Sequence, residues 1–392
     1  ASAERAYELA KTAFGPADPT TIKLQQNYGT FLVLVGSRTD AFTMLNEALQ
    51  AIEQTYGTDA YESVSVLVTL GEILRNDAQL SAVQRALALQ KKHYPNDVLA
   101  YADVAKRTGR YLATSRDQNQ QAIPILQEAL DIYTAEYGRN GEELIPVLMS
   151  LGDAHARFGR SQKQKSAYRR ALSLAKKSGD PLRHADLLHT AGVHLMQLSA
   201  SPDARKYLVK AHDIFAQHLG LDHFKTGNAL LSLGRFHVAS QRHSRAEPKL
   251  LAALEVFKKD SDFRNYELLA LSLLVQVYEE LGDRDAATPY CQAIGQVTPW
   301  SEDQEYRPIY KRAPAYPENA VKSGIAGHVI LEYSVDENGL VQSPVVVDLN
   351  GPDSFIPAAM TSVATFRYAP RYIDGKPVQT PGVRNKFTFK IE

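Results

Sequence analysis

The stretch LMSLGDAHARFGRSQKQKSAYRRALSLA, residues 148–175, decides the fold. It sets a Leu-Gly pair, Leu151-Gly152, 19 residues ahead of an Ala-Leu pair, Ala171-Leu172, measured glycine to alanine. Working outward, the alanine returns at Ala6, Ala48, Ala86, Ala129, Ala211, Ala253 and Ala293, at intervals of 38–43 residues and a mean of 41. The glycine returns 19 residues before its alanine at Gly29, Gly192 and Gly234. A third mark follows four of the alanines by eight or nine residues, as Phe14-Gly15, Tyr56-Gly57, Tyr137-Gly138 and Leu219-Gly220. Three marks in phase over about 290 residues indicate stacked repeats, each unable to bury its apolar face alone.

Between the marks the apolar residues step by three and four, as in Leu67, Leu70, Ile73 and Leu74, or Leu126, Leu130 and Tyr133, which predicts helices. Segments such as Gly57-Thr58-Asp59 and Gly179-Asp180-Pro181 supply helix ends and starts. Each unit therefore reads as two antiparallel helices. Small residues at the marks let the backbones approach at the short end of the ~8–10 Å range for packed helices. Two units depart from the pattern. Gly71 lies 15 residues before Ala86, and the unit of Ala129 shows no glycine at the expected place but extra polar residues over Ser115–Gln120, where a bend or break is expected.

These marks resemble the tetratricopeptide repeat in its long form of about 42 residues, similar to that of kinesin light chains. Leu70-Gly71, Leu151-Gly152 and Leu233-Gly234 match the first-helix motif, and Ala41/Ala48, Ala122/Ala129, Ala204/Ala211 and Ala246/Ala253 match the second-helix alanines. The resemblance implies an α-helical solenoid over residues 1–296 whose first helices line a protein-binding groove. Groove candidates beside the glycines are Asp153, Arg157, His189, Gln197, Asn228 and Arg235; the alternative is that they are ordinary solvated helix positions.

After Ile294 the texture changes. Pro299, Pro308, Pro314 and Pro317 fall within 19 residues and mark residues 297–315 as an extended linker, with Trp300 expected to staple it to the last repeat. Residues 316–392 then read as α+β: a short helix opened by Pro317, a strand alternating through Val329, Leu331, Tyr333 and Val335, and a turn at Asp336–Gly339. A return strand over Val341–Leu349 carries Pro344, which marks it as interrupted or at an edge, and a helix covers Ser354–Thr365. A last strand alternates Val383, Phe387, Phe389 and Ile391 with Arg384, Lys386, Thr388 and Lys390, one face in the core and one basic and solvated.

This order and its landmarks resemble the C-terminal domain of TonB, the periplasmic energy transducer of Gram-negative bacteria. The matching residues are Tyr316-Pro317, Gly324 to Gly327, the turn ending at Gly339, Phe366-Arg367-Tyr368-x-Pro370, Asp374-Gly375-Lys376-Pro377-Val378 and Phe387/Phe389. The resemblance implies a non-enzymatic domain that captures an extended segment of an outer-membrane receptor by adding it to the terminal strand, here Val383, Arg384, Asn385, Lys386, Phe387, Thr388, Phe389 and Lys390. A small sheet keeps edges whose N–H and C=O groups lack partners, and an extended peptide can pair with such an edge. The basic residues either suit a partner with acidic residues or only protect the edge.

Composition bounds the partners. Among 392 residues, Lys+Arg and Asp+Glu are 44 each, so the whole chain has no electrostatic pull toward nucleic acid or anionic lipid. No apolar stretch approaches the roughly 20 residues that span a bilayer. Ala1 in place of Met is expected to reflect a removed secretory signal or an upstream cut. TonB itself carries an N-terminal membrane helix and a long Pro-rich stalk, where this sequence has a repeat array and a short linker.

Catalytic and metal motifs are not found. His184, His189 and His194 are five apart, and His212, His218 and His223 are six and five apart, whereas two ligands on one helix face need steps of three or four. Cys291 reads as a small buried filler, and the basic run from Arg157 to Lys177 as a solvated face, with docking of an acidic partner as the alternative. The expectation is a periplasmic adaptor with no cofactor and no metal, whose partners are a TonB-dependent outer-membrane receptor or another TonB-system component. The alternatives are an envelope scaffold without energy coupling and, from a different class, an enzyme whose site does not show.

Overall fold

A computed structural model describes residues 2–114, 119–198, 201–298 and 305–390. The chain divides into two compact units at residues 198/199. The first unit is all helical: α1 (Ser2–Phe14), α2 (Pro19–Leu34), α3 (Arg38–Tyr56), α4 (Ser63–Ile73), α5 (Asn76–His93), α6 (Val98–Thr114), α7 (Asn119–Tyr137), α8 (Leu144–Arg157), α9 (Ser161–Lys177) and α10 (Pro181–Leu198). Helices pack as successive hairpins, α2 on α3, α4 on α5, α6 on α7 and α8 on α9.

The glycine mark has a steric cause. A Cβ on Gly152 would stand 2.2 Å from the Tyr168 ring, one on Gly29 2.7 Å from Leu45, and one on Gly234 2.4 Å from Leu250. In all three the residue 16 positions later, on the second helix, presses into the gap the glycine leaves. The alanines are equally constrained, with Ala41, Ala48, Ala122, Ala129 and Ala171 all fully buried. The unit with no glycine at the expected place has one a single position away: Gly109, 20 residues before Ala129, receives Leu126 at 2.6 Å. A single extra residue between the two helices moves the mark, so a fixed spacing misses it. The polar residues Ser115–Gln118 lie outside the described residues. The unit of Gly71 carries the short 11-residue α4, and a Cβ on Gly71 would meet only a Val83 methyl at 3.1 Å. The third mark ends helices: Gly15, Gly57, Gly138 and Gly220 have φ between 74° and 91°, a left-handed conformation that glycine adopts without penalty.

The second unit begins with α11 (Pro202–Leu219), α12 (Phe224–Ala239), α13 (His243–Phe257), α14 (Arg264–Leu281) and α15 (Arg284–Val297). After them come α16 (Glu318–Lys322), β1 (Gly327–Val335), β2 (Val341–Asn350), α17 (Phe355–Val363), β3 (Arg371–Ile373), β4 (Lys376–Val378) and β5 (Thr380–Phe389). A three-stranded antiparallel sheet runs in the order β2-β1-β5. Val329, Leu331, Tyr333 and Val335 of β1 and Val383, Phe387 and Phe389 of β5 turn to one face and pack with Phe355, Ala359 and Val363 of α17. The α+β module expected from the sequence is thus present, with one addition: β3 and β4 form a hairpin whose two turn residues, Asp374 (φ 51°) and Gly375 (φ 76°), are both left-handed. Ile391 and Trp300 lie outside the described residues.

The close glycine contacts predict a graded response in stability. Gly152→Ala forces a methyl into the Tyr168 ring and is expected to cost roughly 1–3 kcal/mol, the range for overpacking. Gly71→Ala meets one movable methyl and gains helix propensity of up to about 1 kcal/mol, so it should be neutral or stabilising. Urea unfolding of the two variants checks the order, and equal effects would refute the packing account.

Candidate functional site

The terminal strand lies at a sheet edge, hydrogen-bonded to β1 only. From Val383 to Phe389 its register with β1 is unbroken, Tyr333↔Val383 through Gly327↔Phe389. Among the described residues no backbone hydrogen bond joins its outer side to another segment. The opposite edge, β2, differs: its pairing slips twice, Ser343 stands at φ 50°, and Pro344 has no N–H to offer. An incoming strand therefore finds a continuous ladder on β5 and a broken one on β2.

Beside β5 is a cavity of about 640 Å³, bounded on one side by Thr380–Asn385 and on the other by Glu305–Pro308 and Lys311. Six consecutive strand residues line it, so it faces the strand's edge and not one of its faces. Arg307, Lys311, Arg371 and Arg384 border it with a single carboxylate, Glu305. Glu305 and Arg307 pair with each other at 2.6 Å, and Arg384 pairs with Glu332 on the solvent face of the sheet at 2.6 Å.

Within the segment expected as an extended linker, the described residues include two that are held against α14. Tyr310 is buried, its hydroxyl donates to Glu280 at 2.7 Å, and burial with that carboxylate pushes its pKa up to about 12. Arg312 binds Glu280 at 2.9 Å. Each TonB-like landmark has a local task. Tyr316 donates to the Ile325 carbonyl at 2.7 Å and meets Phe355 and Phe389 edge-on, while Pro317 opens α16. A Cβ on Gly327 would strike the Asn350 carbonyl, one on Gly339 the Tyr368 carbonyl, and Gly375 closes the β3–β4 turn. Pro370 presents its carbonyl against Gly295 of α15, where a Cβ would stand 2.3 Å away.

Sequence reasoning missed the centre of this arrangement. Arg367 has no exposed surface, and its Nη1 donates to Glu279 Oε1 at 3.1 Å and to the Arg284 carbonyl at 3.1 Å. Its Nη2 donates to Thr288 Oγ1 at 2.8 Å and to the Asn338 carbonyl at 3.3 Å. Glu279 is only 5% exposed. The available signal was an arginine between two core aromatics, Phe366 and Tyr368, in the matched motif.

The groove candidates are distributed over three helices. Asp153 and Arg157 sit on α8, His189 and Gln197 on α10, and Asn228 and Arg235 on α12 of the second unit; the Gln197 side chain lies outside the described residues. Asp153 instead joins two residues that the groove reading did not name. Its Oδ1 lies 2.5 Å from His194 Nδ1 and accepts a short hydrogen bond from the fully buried Tyr168 hydroxyl. The Asp153 bond raises the His194 pKa above its usual value, against the opposing effect of burial. Farther along the array His223 caps α12, its Nδ1 accepting from the Lys225 amide at 3.1 Å.

Two outcomes follow from these geometries. Arg367→Met strands the buried Glu279 carboxylate and is expected to destabilise the second unit by roughly 3–5 kcal/mol, while adding Glu279→Leu should restore most of the loss; denaturant titrations of both variants measure it. A His194 pKa raised on folding stabilises most below the unfolded value near about 6.5, and that contribution fades as pH climbs through the folded value. The melting-temperature gap between the unmodified protein and His194→Gln should therefore be widest in mild acid and close toward pH 9; a gap that widens with pH would contradict the ion pair.

Two family models match parts of the chain. Residues 312–391 match the family described as "Gram-negative bacterial TonB protein C-terminal", and residues 109–177 match "Tetratricopeptide repeat". The chain is 25% identical over 174 residues to the "Clustered mitochondria protein homolog" of Kluyveromyces lactis, a match covering 41% of this chain and 14% of that relative's length. Among solved structures it is similar to BtubC (BKLC) from P. vanneervenii, at 18% identity and a TM-score of 0.44, covering 60% of this chain and 98% of that one. It is also similar to aspartyl phosphate phosphatase F from Bacillus subtilis, at 18% identity and a TM-score of 0.45, covering 70% and 74%. Among the described residues no helix is long and apolar enough to cross a membrane. The chain is thus a tetratricopeptide-type helical repeat array followed by a small α+β domain similar to the TonB C-terminal family, two protein-interaction modules in one polypeptide.

Proposed function

We propose that this protein is a non-enzymatic adaptor of the Gram-negative periplasm. Its repeat array, residues 1–296, holds one protein partner. Its C-terminal module, residues 316–392, captures an extended segment of a TonB-dependent outer-membrane receptor, or of another TonB-system component, as a strand added to β5. The observation that carries this reading is the regular, unpaired outer edge of β5 beside a cation-lined cleft. Main-chain bonds along Val383–Phe389 supply affinity, and Arg371, Lys311 and the exposed Lys386 favour a segment with acidic residues. Asp153, Arg157, His189, Asn228 and Arg235 remain the proposed groove contacts.

A second reading is an envelope scaffold that uses the same edge without energy coupling. It is favoured by the way Arg367 and Tyr310 fasten the module to α14 and α15, in place of a long stalk.

The test is amide exchange by NMR with synthetic N-terminal segments of TonB-dependent receptors. Added peptide should slow exchange at alternate amides of Val383–Phe389 at least tenfold and leave β2 unchanged. Because neighbouring N–H groups point to opposite sides of a strand, one of Asn385→Pro and Lys386→Pro should keep its melting temperature yet lose the peptide. Protection on β2, or binding that survives both prolines, would remove strand addition at β5.

A further inference from the structure

Helices α2, α4 and α6 belong to three successive hairpins of the first unit and share a cavity of about 510 Å³, within the range of about 300–1,000 Å³ typical of ligand pockets. Its wall is apolar, formed by Ile22, Ile52, Val64, Val68 and Val104 with the ring of Tyr61. The polar pair at its side, Gln26 and Ser65, is already bonded to itself at 2.5 Å. Gln90 is different. It lines the same cavity at 1% exposure, and its Nε2 has no hydrogen-bond partner. A buried donor without an acceptor costs about 1–3 kcal/mol, and most buried polar groups in folded proteins avoid that penalty. At the mouth stand Lys23 and Arg107 together with Glu62 and Asp103, so the rim selects neither sign of charge.

We propose that this cavity seats a bulky apolar side chain of an extended partner segment, whose main-chain carbonyl accepts from Gln90 Nε2. The proposal rests on the reading that the repeat array binds a protein partner, and it names the place and the chemistry of recognition. A peptide sets a carbonyl beside every side chain, which answers the amide and the apolar wall together. A fatty acid with its carboxylate at the mouth has only alkyl carbons to offer Gln90, and it would meet Glu62 and Asp103 alongside the cations. The site also lies in earlier repeats than the candidates Asp153 to Arg235. Recognition in the first three hairpins is therefore by shape, in contrast to the charge-biased edge of β5.

The experiment uses the full chain carrying Arg107→Cys at the exposed mouth. The native Cys291 is buried and its thiol pKa is pushed up by burial, which keeps it out of the exchange. Capped Gly-Xaa-Gly peptides bearing a disulfide are equilibrated with the protein under mild reductant and read by intact mass. Peptides with Leu, Phe or Met should be retained at least tenfold over those with Ala, Glu or Lys. Adding Gln90→Met should raise the melting temperature by removing the orphan amide, and lower retention of the Leu peptide about fivefold; a merely structural Gln90 would leave retention unchanged. Ala100→Trp, which fills the mouth from a half-buried position, should abolish the preference. No side-chain preference, a preference for charge, or displacement of the Leu peptide by octanoate but not by free Gly-Leu-Gly would overturn the proposal. Receptor segments captured at β5, or a partner held elsewhere on the array, would survive that failure, so the two readings can be judged apart.

Discussion

The second unit depends on one buried ion pair. Arg367 and Glu279 are withdrawn from water almost completely, and either charge alone in that environment would be prohibitive. Both terminal nitrogens of the guanidinium are answered, by the carboxylate, by Thr288 Oγ1, and by the carbonyls of Arg284 and Asn338, while its buried Nε has no hydrogen-bond partner among the described residues. The main chain of the same residue exchanges hydrogen bonds with the strap formed by the described linker residues 305–315, Arg367 N to the Tyr310 carbonyl at 2.9 Å and Ile309 N to the Arg367 carbonyl at 2.7 Å. One residue thus registers α14, the start of α15, the β1–β2 turn and the strap against one another. Two apolar residues of equal volume would fill the space about as stably, but they would supply no directional bonds to fix four segments in one orientation.

That registration bears on β5, the strand proposed to receive a peptide. β5 is held from beneath by aromatic contacts, Phe387 against Phe366 and Phe389 stacked on Phe355 with centroids 4.1 Å apart. Phe366 immediately precedes Arg367, so the clamp and the underside of the strand are continuous through the chain. A preformed edge has little left to order when a peptide arrives, and the entropy of binding falls chiefly on the peptide. Gly295, with no side chain to hold α15 away from Pro370, serves the same closeness from the helical side.

Local periodicity made most of the fold legible. Three-and-four steps gave the helices, the 41-residue repeat gave their pairing, and alternation gave β1 and β5 with the correct buried faces. The residues that stayed hidden pair over long range. Arg367 and Glu279 are 88 residues apart, Asp153 and His194 41, and no spacing rule connects them. Gly109 escaped because one inserted residue shifts a mark without altering the contact it makes. The β3–β4 hairpin was present as Asp374-Gly375, a strong two-residue turn signal, but its strands have three residues each, too short for alternation to register. Of the candidate site, the basic face of β5 could be read from the alternation of its residues, and its edge position was implied by the family resemblance. The cleft beside it could not, because its far wall comes from a segment that sequence texture marks only as a linker.

The two roles proposed for β5 are separated by strand geometry. Side chains alternate between faces while main-chain groups point sideways, so what pairs and what selects need not compete. Opposite β1, Arg384 faces Glu332 and Lys386 faces Ile330, both on the solvent side, while Val383, Phe387 and Phe389 face the core. Arg384 is already neutralised by Glu332, which leaves Lys386 as the exposed cation in the middle of the uninterrupted ladder. A strand added at that edge brings its own alternate side chains level with Lys386 on the solvent face, at cross-strand separations of about 4.5–5.5 Å. An acidic residue there gains a partner at no cost to the ladder, and a basic one in the same register is repelled. A second copy of β5 would set its own lysines on that face, so the charge proposed to favour an acidic segment would also discourage self-pairing along the same edge.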